Sequence, residues 1–396
     1  MGKTNYRIIY YSPHPTHDIV SEVGYATHQR ETILALEELG HVVHKIILGG
    51  TSKSELKFDS GKAVDASGLK GLIKKFVPRY IWVSLKDIKL QFHNKKAAQL
   101  LEKGILEFKP DFIYERSEIL QDASVAIIRK HSVPYFLEVN APFVEEMKSL
   151  EGSSFMHLWA KGMEAKKYKL ASKIFTVSSA LKKYLIKEYK VESNKIVLAP
   201  NRINTQKFKA IDSSAKGIRT FGFVGSVLPF HKVDILIEAF AKLIEKEASC
   251  KLIIVGDGNQ LEELKTRARQ LGITKSIDFK GRIPHDKVVD EIEQMDVCVM
   301  PGTNWYGSPV KIFEYGYMSK PIIAPKEQPL IDVLEHEKDG LLVKQNADDL
   351  CDAMYWMTKN EDKALQMASN FKQKIEDQFT WKHAAKEIIN AFEEEQ

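Results

Sequence analysis

The run Ser308-Pro309-Val310-Lys311-Ile312-Phe313-Glu314-Tyr315-Gly316-Tyr317, followed by Lys320-Pro321-Ile322-Ile323-Ala324, reads as a loop, a helix and then a buried strand. Pro309 suits a first helical position, where its missing N–H costs nothing, and Ser308 before it is a favoured cap. A cation in the first turn opposes the helix dipole, so Lys311 is better explained by a bound anion than by helix stability. The unpaired N–H groups of such a helix start, with Lys311 beside them, offer a site for a diphosphate. Glu314 follows three residues later, nearly one turn on, where a carboxylate can grip sugar hydroxyls. Alone, the same spacing also fits an ordinary i,i+3 surface pair, so the rest of the chain has to decide.

Outward from that run, strand and helix alternate. Thr220–Val224, Lys251–Val255, Ile277–Lys280, Val297–Met300 and Pro321–Ala324 are short apolar strands, and helices are expected between them over 233–246, 260–271, 285–295 and 310–318. The first half repeats the scheme: strand 7–11, a polar loop from Ser12 to Val23, a helix over 25–39 stopped by Gly40, and strand 42–48. Apolar runs at 112–114, 135–139, 173–177 and 195–198 continue it. Such alternation implies α/β domains with parallel sheets covered on both faces. The reading divides the chain into an N-terminal Rossmann-like domain over 1–208, a second over 209–375, with Asp212–Gly217 as linker, and a helix over about 376–396 returning to the first. Trp381 looks like the anchor of that tail.

At 396 residues, with 44% hydrophobic and 28% charged, the chain fits a globular protein of two cores. Cys250, Cys298 and Cys351 show no metal-ligand spacing and read as reduced core thiols of a cytoplasmic protein. Strand residues Arg7–Tyr11 begin almost at once, so no signal peptide is expected. The net charge of +5 is mild but uneven. Residues 62–96 hold nine lysines and arginines against Asp65 and Asp87, interleaved with Phe76, Tyr80, Trp82 and Leu85. This segment suits an anionic membrane surface or an anionic acceptor, and equally a solvated helical insertion. Nucleic acid is not expected, since no recognised binding motif accompanies the charge.

Several further stretches carry a resemblance. They are Gly40-His-Val-Val43, Thr176-Val-Ser-Ser179, Pro200-Asn-Arg-Ile-Asn204, Phe223-Val-Gly-Ser226 with His231–Phe240, Ile254-Val-Gly-Asp-Gly258 and Phe279-Lys-Gly-Arg282. In this order, and with the 308–314 helix, the chain resembles the retaining glycosyltransferases of family 4 over nearly its whole length. That resemblance implies the GT-B architecture, two Rossmann-like doubly wound domains facing across a cleft. It implies a nucleotide-diphosphate sugar as donor substrate, no cofactor, and a donor site on the second domain. By position, Glu314 would bond the ribose hydroxyls, and Gly256, Asp257 and Gly258 would let backbone approach the nucleotide. Arg282 and Ile283 would flank the base, while Ser308, Pro309, Val310 and Lys311 would face the diphosphate. Gly24, before the first helix, would approach the donor phosphate from the other domain. The acceptor would be a glycan, a lipid-linked sugar or another glycoconjugate, as in polysaccharide biosynthesis.

The chain also departs from the family pattern. The usual first glutamate of the helix motif falls at Tyr306, leaving Asn304, Trp305 or Tyr306 as substitutes. The usual basic pair at the diphosphate is replaced by Ser226 and His231, with Lys232 adjacent and Lys311 in a position to compensate. Glu138 ends a strand near where relatives place a histidine. It either orients the donor sugar, accepts a proton if burial raises its pKa, or caps the loop with Asn140. His14 and His17 border the expected acceptor side. No Asp-x-Asp pair occurs, so no metal is expected. The reading is a metal-independent retaining glycosyltransferase, cytoplasmic and peripheral to the inner membrane face. Its rivals are a nucleotide-sugar epimerase or hydrolase on this scaffold, and a non-catalytic nucleotide-sugar-binding scaffold.

Overall fold

The central strands of this chain are buried along nearly their whole length, without the in–out alternation of a half-solvated sheet. In β1 (Arg7–Ser12) every residue after the first is inaccessible, and all five residues of β4 (Tyr135–Val139) are. Only a parallel sheet covered by helices on both faces accommodates such runs. The computed structural model describes residues 5–21, 23–52, 78–205, 208, 217–284 and 287–396. It contains two such sheets, each in its own compact unit.

The first unit comprises Met1–Val177, Leu181–Ala199 and Ala384–Gln396. Its six strands are β1, β2 (Val42–Ile47), β3 (Phe112–Arg116), β4, β5 (Lys173–Thr176) and β6 (Ile196–Leu198). They run in the order β2-β1-β3-β4-β5-β6, all parallel. Chain direction across the sheet reverses between β1 and β3, a switch point at whose carboxyl edge ligands of such sheets bind. The C-terminal helix Trp381–Glu393 closes this unit: the Phe392 ring lies 4.7 Å from Phe112 and 5.1 Å from Tyr6. Lys62, Lys70, Lys74 and Lys75 of the basic segment lie outside the described residues. Its later part forms helix Arg79–Gln91, followed by helix His93–Phe108.

The second unit comprises Ser178–Ala180 and Pro200–His383. The sequence reading put the division at 208, beside residues 206–207 and 209–216, which lie outside the description together with most of the expected linker. Its strands are β7 (Thr220–Val224), β8 (Lys251–Val255), β9 (Ile277–Gly281), β10 (Val297–Val299), β11 (Ile322–Pro325) and β12 (Leu341–Val343). Their order β12-β11-β10-β7-β8-β9 places a second switch point between β7 and β10. Phe221, Phe223, Leu236, Phe240 and Ile254 fill the core on one face; Ile312, Phe313, Met295 and Phe371 fill it on the other. Gly316 lets helix Val310–Tyr317 seat closely on helix Glu361–Gln378, since a methyl group there would lie 2.3 Å from the Phe371 ring. Cys250, Cys298 and Cys351 are all buried free thiols. Among the described residues no helix is long and apolar enough to cross a membrane.

Candidate functional site

The loop after β7 and the helix after β10 meet at the switch point of the second unit. The Tyr315 hydroxyl joins them: it accepts from the Val224 N–H at 2.8 Å and donates to the Val224 carbonyl at 3.3 Å. This two-way bond ties the second turn of helix Val310–Tyr317 to the end of β7. The glycines at the strand ends work on one another. A Cβ on Gly256 (φ 134°) would sit 1.9 Å from the Gly225 carbonyl oxygen, and one on Gly258 would sit 2.1 Å from that of Val227. Val227 N–H donates to the Asp257 carbonyl at 2.9 Å. The close backbone approach expected at Gly256–Gly258 is therefore made first by the neighbouring loop.

Lys311 is the cation of this site. Its Nζ lies 4.6 Å above the Phe223 ring and donates to His231 Nε2 at 3.2 Å. Gly225 (φ 152°) makes room for it, because a Cβ there would meet Nζ at 2.3 Å. Burial pushes the Lys311 ammonium down from 10.5 to about 7, with Glu314 pulling the other way. His231 in turn donates from Nδ1 to the Ser226 carbonyl at 2.5 Å, which leaves Nε2 as the acceptor for Lys311. Burial first, then the Lys311 charge, depress His231 to about 4 against the pull of that carbonyl. His231 is thus neutral near pH 7. Standing where a basic residue is usual, it is the partner that holds the lysine.

The helix start differs from the sequence reading by one residue. Pro309 occupies the cap position with extended backbone, and no side chain caps the first turn. Ser308 is otherwise engaged, its Oγ accepting from the Asn201 N–H at 3.0 Å and its carbonyl from Asn201 Nδ2. The first-turn N–H groups therefore have no side-chain acceptor, and an anion is the partner that such a helix end takes. Lys232 sits in the left-handed region (φ 50°) ahead of helix Val233–Lys246, its stem against Gly302. Glu314 is half-buried; Ser226, Asp257 and Arg282 are exposed, and Ile283 is partly buried against the core. In the run where the usual glutamate is absent, Asn304 Oδ1 accepts from the Gly307 N–H at 2.6 Å, and Trp305 stays 44% exposed beside the Tyr306 ring. Sequence reasoning passed over Phe223, Tyr315 and Asn201 as site residues. Asn201 and Phe223 lay inside quoted motifs, and Tyr315 next to Glu314, but their contacts are long-range.

In the first unit a cavity of about 980 Å³ opens at the carboxyl edge of β1 and β3. His14, His17 and Tyr25 form a stack along its wall, with ring centroids 3.9 and 4.3 Å apart. His17 Nδ1 lies 2.7 Å from buried Glu118, and Arg116 lies 3.6 Å from the same carboxylate. Burial opposes ionisation of Glu118, yet the charges of His17, His14 and Arg116 and the His17 hydrogen bond bring it down to about 2. Burial depresses His14 to about 4, helped by His17, Lys86 and His93 and opposed by Glu118.

Glu138, also buried, accepts from Arg116 at 2.6 Å, from Tyr114 at 3.1 Å and from Asn140. His28 lies 3.4 Å away. Burial raises its pKa, but His28, Arg116 and the two other hydrogen bonds outweigh it, and the carboxyl ends below its ordinary value. The raised pKa that a proton-accepting role would need is reversed here by these donors. Gly24 is the exposed first residue of helix Gly24–Glu38, with open space where a side chain would start.

The model of "Glycosyltransferase Family 4" matches residues 24–207, and that of "Glycosyl transferases group 1" matches residues 204–374. The chain is 23% identical over 270 residues to an uncharacterized glycosyltransferase of Methanocaldococcus jannaschii, covering 63% of this chain and 69% of that one. It is 27% identical over 197 residues to a D-inositol 3-phosphate glycosyltransferase of Corynebacterium urealyticum, covering 48% and 45%. A GDP-mannose-dependent phosphatidylinositol monomannoside mannosyltransferase of Mycobacterium tuberculosis matches at 22% identity, covering 48% and 54%. The chain thus spans only about half the length of these last two. In fold it is similar to HepE of Anabaena, solved in complex with UDP (TM-score 0.71, 14% identity, 98% and 100% of the chains). It is similar also to a sucrose-phosphate synthase of Thermosynechococcus elongatus (TM-score 0.70, 15% identity, 99% of each).

Proposed function

Because this chain belongs to glycosyltransferase family 4 and has its two-domain GT-B fold, we propose that it moves a sugar with retention of configuration, and without a metal ion, from a nucleoside-diphosphate sugar to a glycan or lipid-linked acceptor. The observation that carries this reading is the Lys311 ammonium, partly buried over Phe223 at an uncapped helix start on the switch point of the second unit. Cleavage of the anomeric carbon–oxygen bond leaves negative charge on the departing diphosphate. A fixed cation and oriented N–H groups stabilise that charge, and one such donor is typically worth roughly 3–4 kcal/mol of barrier. The acceptor hydroxyl attacks from the face the diphosphate leaves, and its proton passes to the leaving phosphate oxygen, so no enzyme nucleophile is formed. Lys311, held by His231 over Phe223, does the electrostatic work that a divalent ion does in other sites.

The roles carried by the family resemblance follow: Glu314 on the ribose, Gly256–Gly258 and Arg282–Ile283 around the nucleoside, Gly24 toward the phosphate. A neutral Glu138 is not part of this reading; as an anion paired with Arg116 it holds the loop after β4. The placement at the inner membrane face rests on the large exposed side chains of the first unit. Leu85 and Phe92 are exposed on helix Arg79–Gln91 and at its end, and Leu158 (83% exposed) and Trp159 (64% exposed) on helix His157–Leu170. Co-sedimentation with anionic phospholipid vesicles tests it, and absence of binding removes it.

The central test is a thermal-shift panel of UDP, GDP, ADP and their sugar conjugates, with and without EDTA, followed by donor turnover with acceptor extracts. An EDTA-insensitive shift with one nucleotide family, lost in Lys311→Ala, is the expected result. An unchanged shift and turnover in Lys311→Ala would remove the diphosphate assignment. Turnover without any acceptor would instead favour the hydrolase or epimerase reading. Binding without turnover would favour the non-catalytic scaffold to which Tyr306, in place of the usual glutamate, points.

A further inference from the structure

The cavity of the first unit carries a feature that the donor chemistry does not use. Lys86, Lys89, His93 and Lys96 recur at i, i+3, i+7 and i+10, and all four line it. The two helices that supply them join at Phe92, whose backbone is itself helical, so the spacing is preserved across the junction. One continuous helical face therefore presents four basic groups to one cavity. Like charges at i,i+3 and i,i+4 repel and destabilise a helix unless something of opposite sign lies between them.

The carboxylates of the same cavity do not supply that charge. Glu151 is bonded to Lys86, and Glu118 to His17 and Arg116. Glu146 has a partner of its own. Asp87 is buried, pushed toward its neutral form by that burial, with Oδ2 lacking a hydrogen-bond partner among the described residues. Lys89, His93 and Lys96 are left, among the described residues, with no ion-pair or hydrogen-bond partner. The same cavity is also lined by apolar Ile119, Phe143 and Met147.

We infer that Lys89, His93 and Lys96 form the anion-binding wall of the acceptor pocket, so that the acceptor carries a phosphate ester beside a body with an apolar face. The inference rests on the glycosyltransferase reading above and names the chemical class of its acceptor. Three donors rising from successive helical turns suit a tetrahedral dianion, and the 980 Å³ of the cavity leaves room for a sugar- or cyclitol-sized body. The phosphate can belong to a soluble ester or to a lipid headgroup, and the two are distinguished by the assay.

The experiment titrates the full chain, saturated with whichever nucleotide its second unit binds, with glycerol 3-phosphate and myo-inositol 1-phosphate. Glycerol and myo-inositol serve as uncharged counterparts, and vesicles of phosphatidylinositol form a separate arm. Phosphate esters are expected to bind at least ten times more tightly than their neutral counterparts, and less tightly as salt rises. Lys89→Ala/Lys96→Ala should lose that preference, while Lys103→Ala, on the same helix as Lys96 and outside the cavity, should keep it. Loss confined to the vesicle arm assigns the phosphate to a lipid headgroup. Equal binding of charged and neutral compounds, or a preference that survives in the double variant, overturns the inference. The nucleotide thermal shift, read on the same samples, separates this outcome from failure of the donor assignment and reports that the variants are folded.

Discussion

Replacing Lys311 by methionine should make the ligand-free protein more stable while disabling it. The wild-type ammonium falls from 10.5 to about 7 on folding because it is taken out of water. At about 1.4 kcal/mol per unit, the folded state carries a penalty of about 5 kcal/mol below pH 7. The sign follows from proton counting: between pH 7 and 10.5 the unfolded chain binds this proton and the folded chain does not. Stability therefore rises with pH across that window, and about 2 kcal/mol of the penalty is relieved between pH 7 and 9. Methionine keeps the length and apolar contact without the charge, so Lys311→Met should lack this slope and gain stability at pH 7. The gain is reduced by the lost hydrogen bond to His231 and the lost contact with the Phe223 ring, the latter worth about 0.5–2 kcal/mol. Urea unfolding at pH 6 to 9, in parallel for both proteins, measures the difference of slopes. A nucleoside diphosphate should restore the proton to Lys311, flatten the wild-type profile and leave the variant unmoved. Parallel pH profiles for the two ligand-free proteins would refute the argument that Lys311 is a buried cation held ready for an anion.

Two further outcomes follow from the strand ends and from the cavity. Gly256→Ala should cost at least about 3 kcal/mol, since its methyl group must displace the Gly225 carbonyl 1.9 Å away. Gly272→Ala (φ 71°), with open space around it, should cost only the left-handed backbone term of about 1–2 kcal/mol. Equal losses in thermal denaturation would show that loop-to-loop contact is not what selects glycine at Gly256. Glu118, lowered from 4.5 to about 2, should contribute about 3 kcal/mol of stability above pH 4.5. That contribution should vanish as pH falls from 4.5 to 2, and acid unfolding of Glu118→Gln should lack this component of the wild-type slope.

Much of this fold is legible in the linear chain. Strands such as Lys251–Val255 and helices such as Val233–Lys246 are contiguous runs whose period and end residues are local properties, and the structure has the same bounds. β12, three residues at the sheet edge, has too short a run to carry a period. Helix 288–293 ends two residues before the expected 295, and positions 285 and 286 of that expectation lie outside the described residues. The position of Lys311 at a helix start was readable too, since it depends on residues within one turn. Whether Ser308 caps that helix was not, because its hydroxyl is taken by Asn201, more than a hundred residues earlier.

The same division holds for charge. The order of motifs along the chain places Lys311, His231 and Glu138 near strand ends, and sequence is enough for that because topology follows from alternating strands and helices. Their protonation follows from tertiary packing alone. Lys311, packed over Phe223 and against Gly225, is depressed by desolvation, and His231 by burial and that lysine. Glu138 is lowered where burial by itself would raise it, because Arg116, His28, Tyr114 and Asn140 converge on it. Backbone form is set by neighbours within a few residues, whereas the energy of a charge is set by everything within several ångströms, and that neighbourhood exists only once the strands are paired.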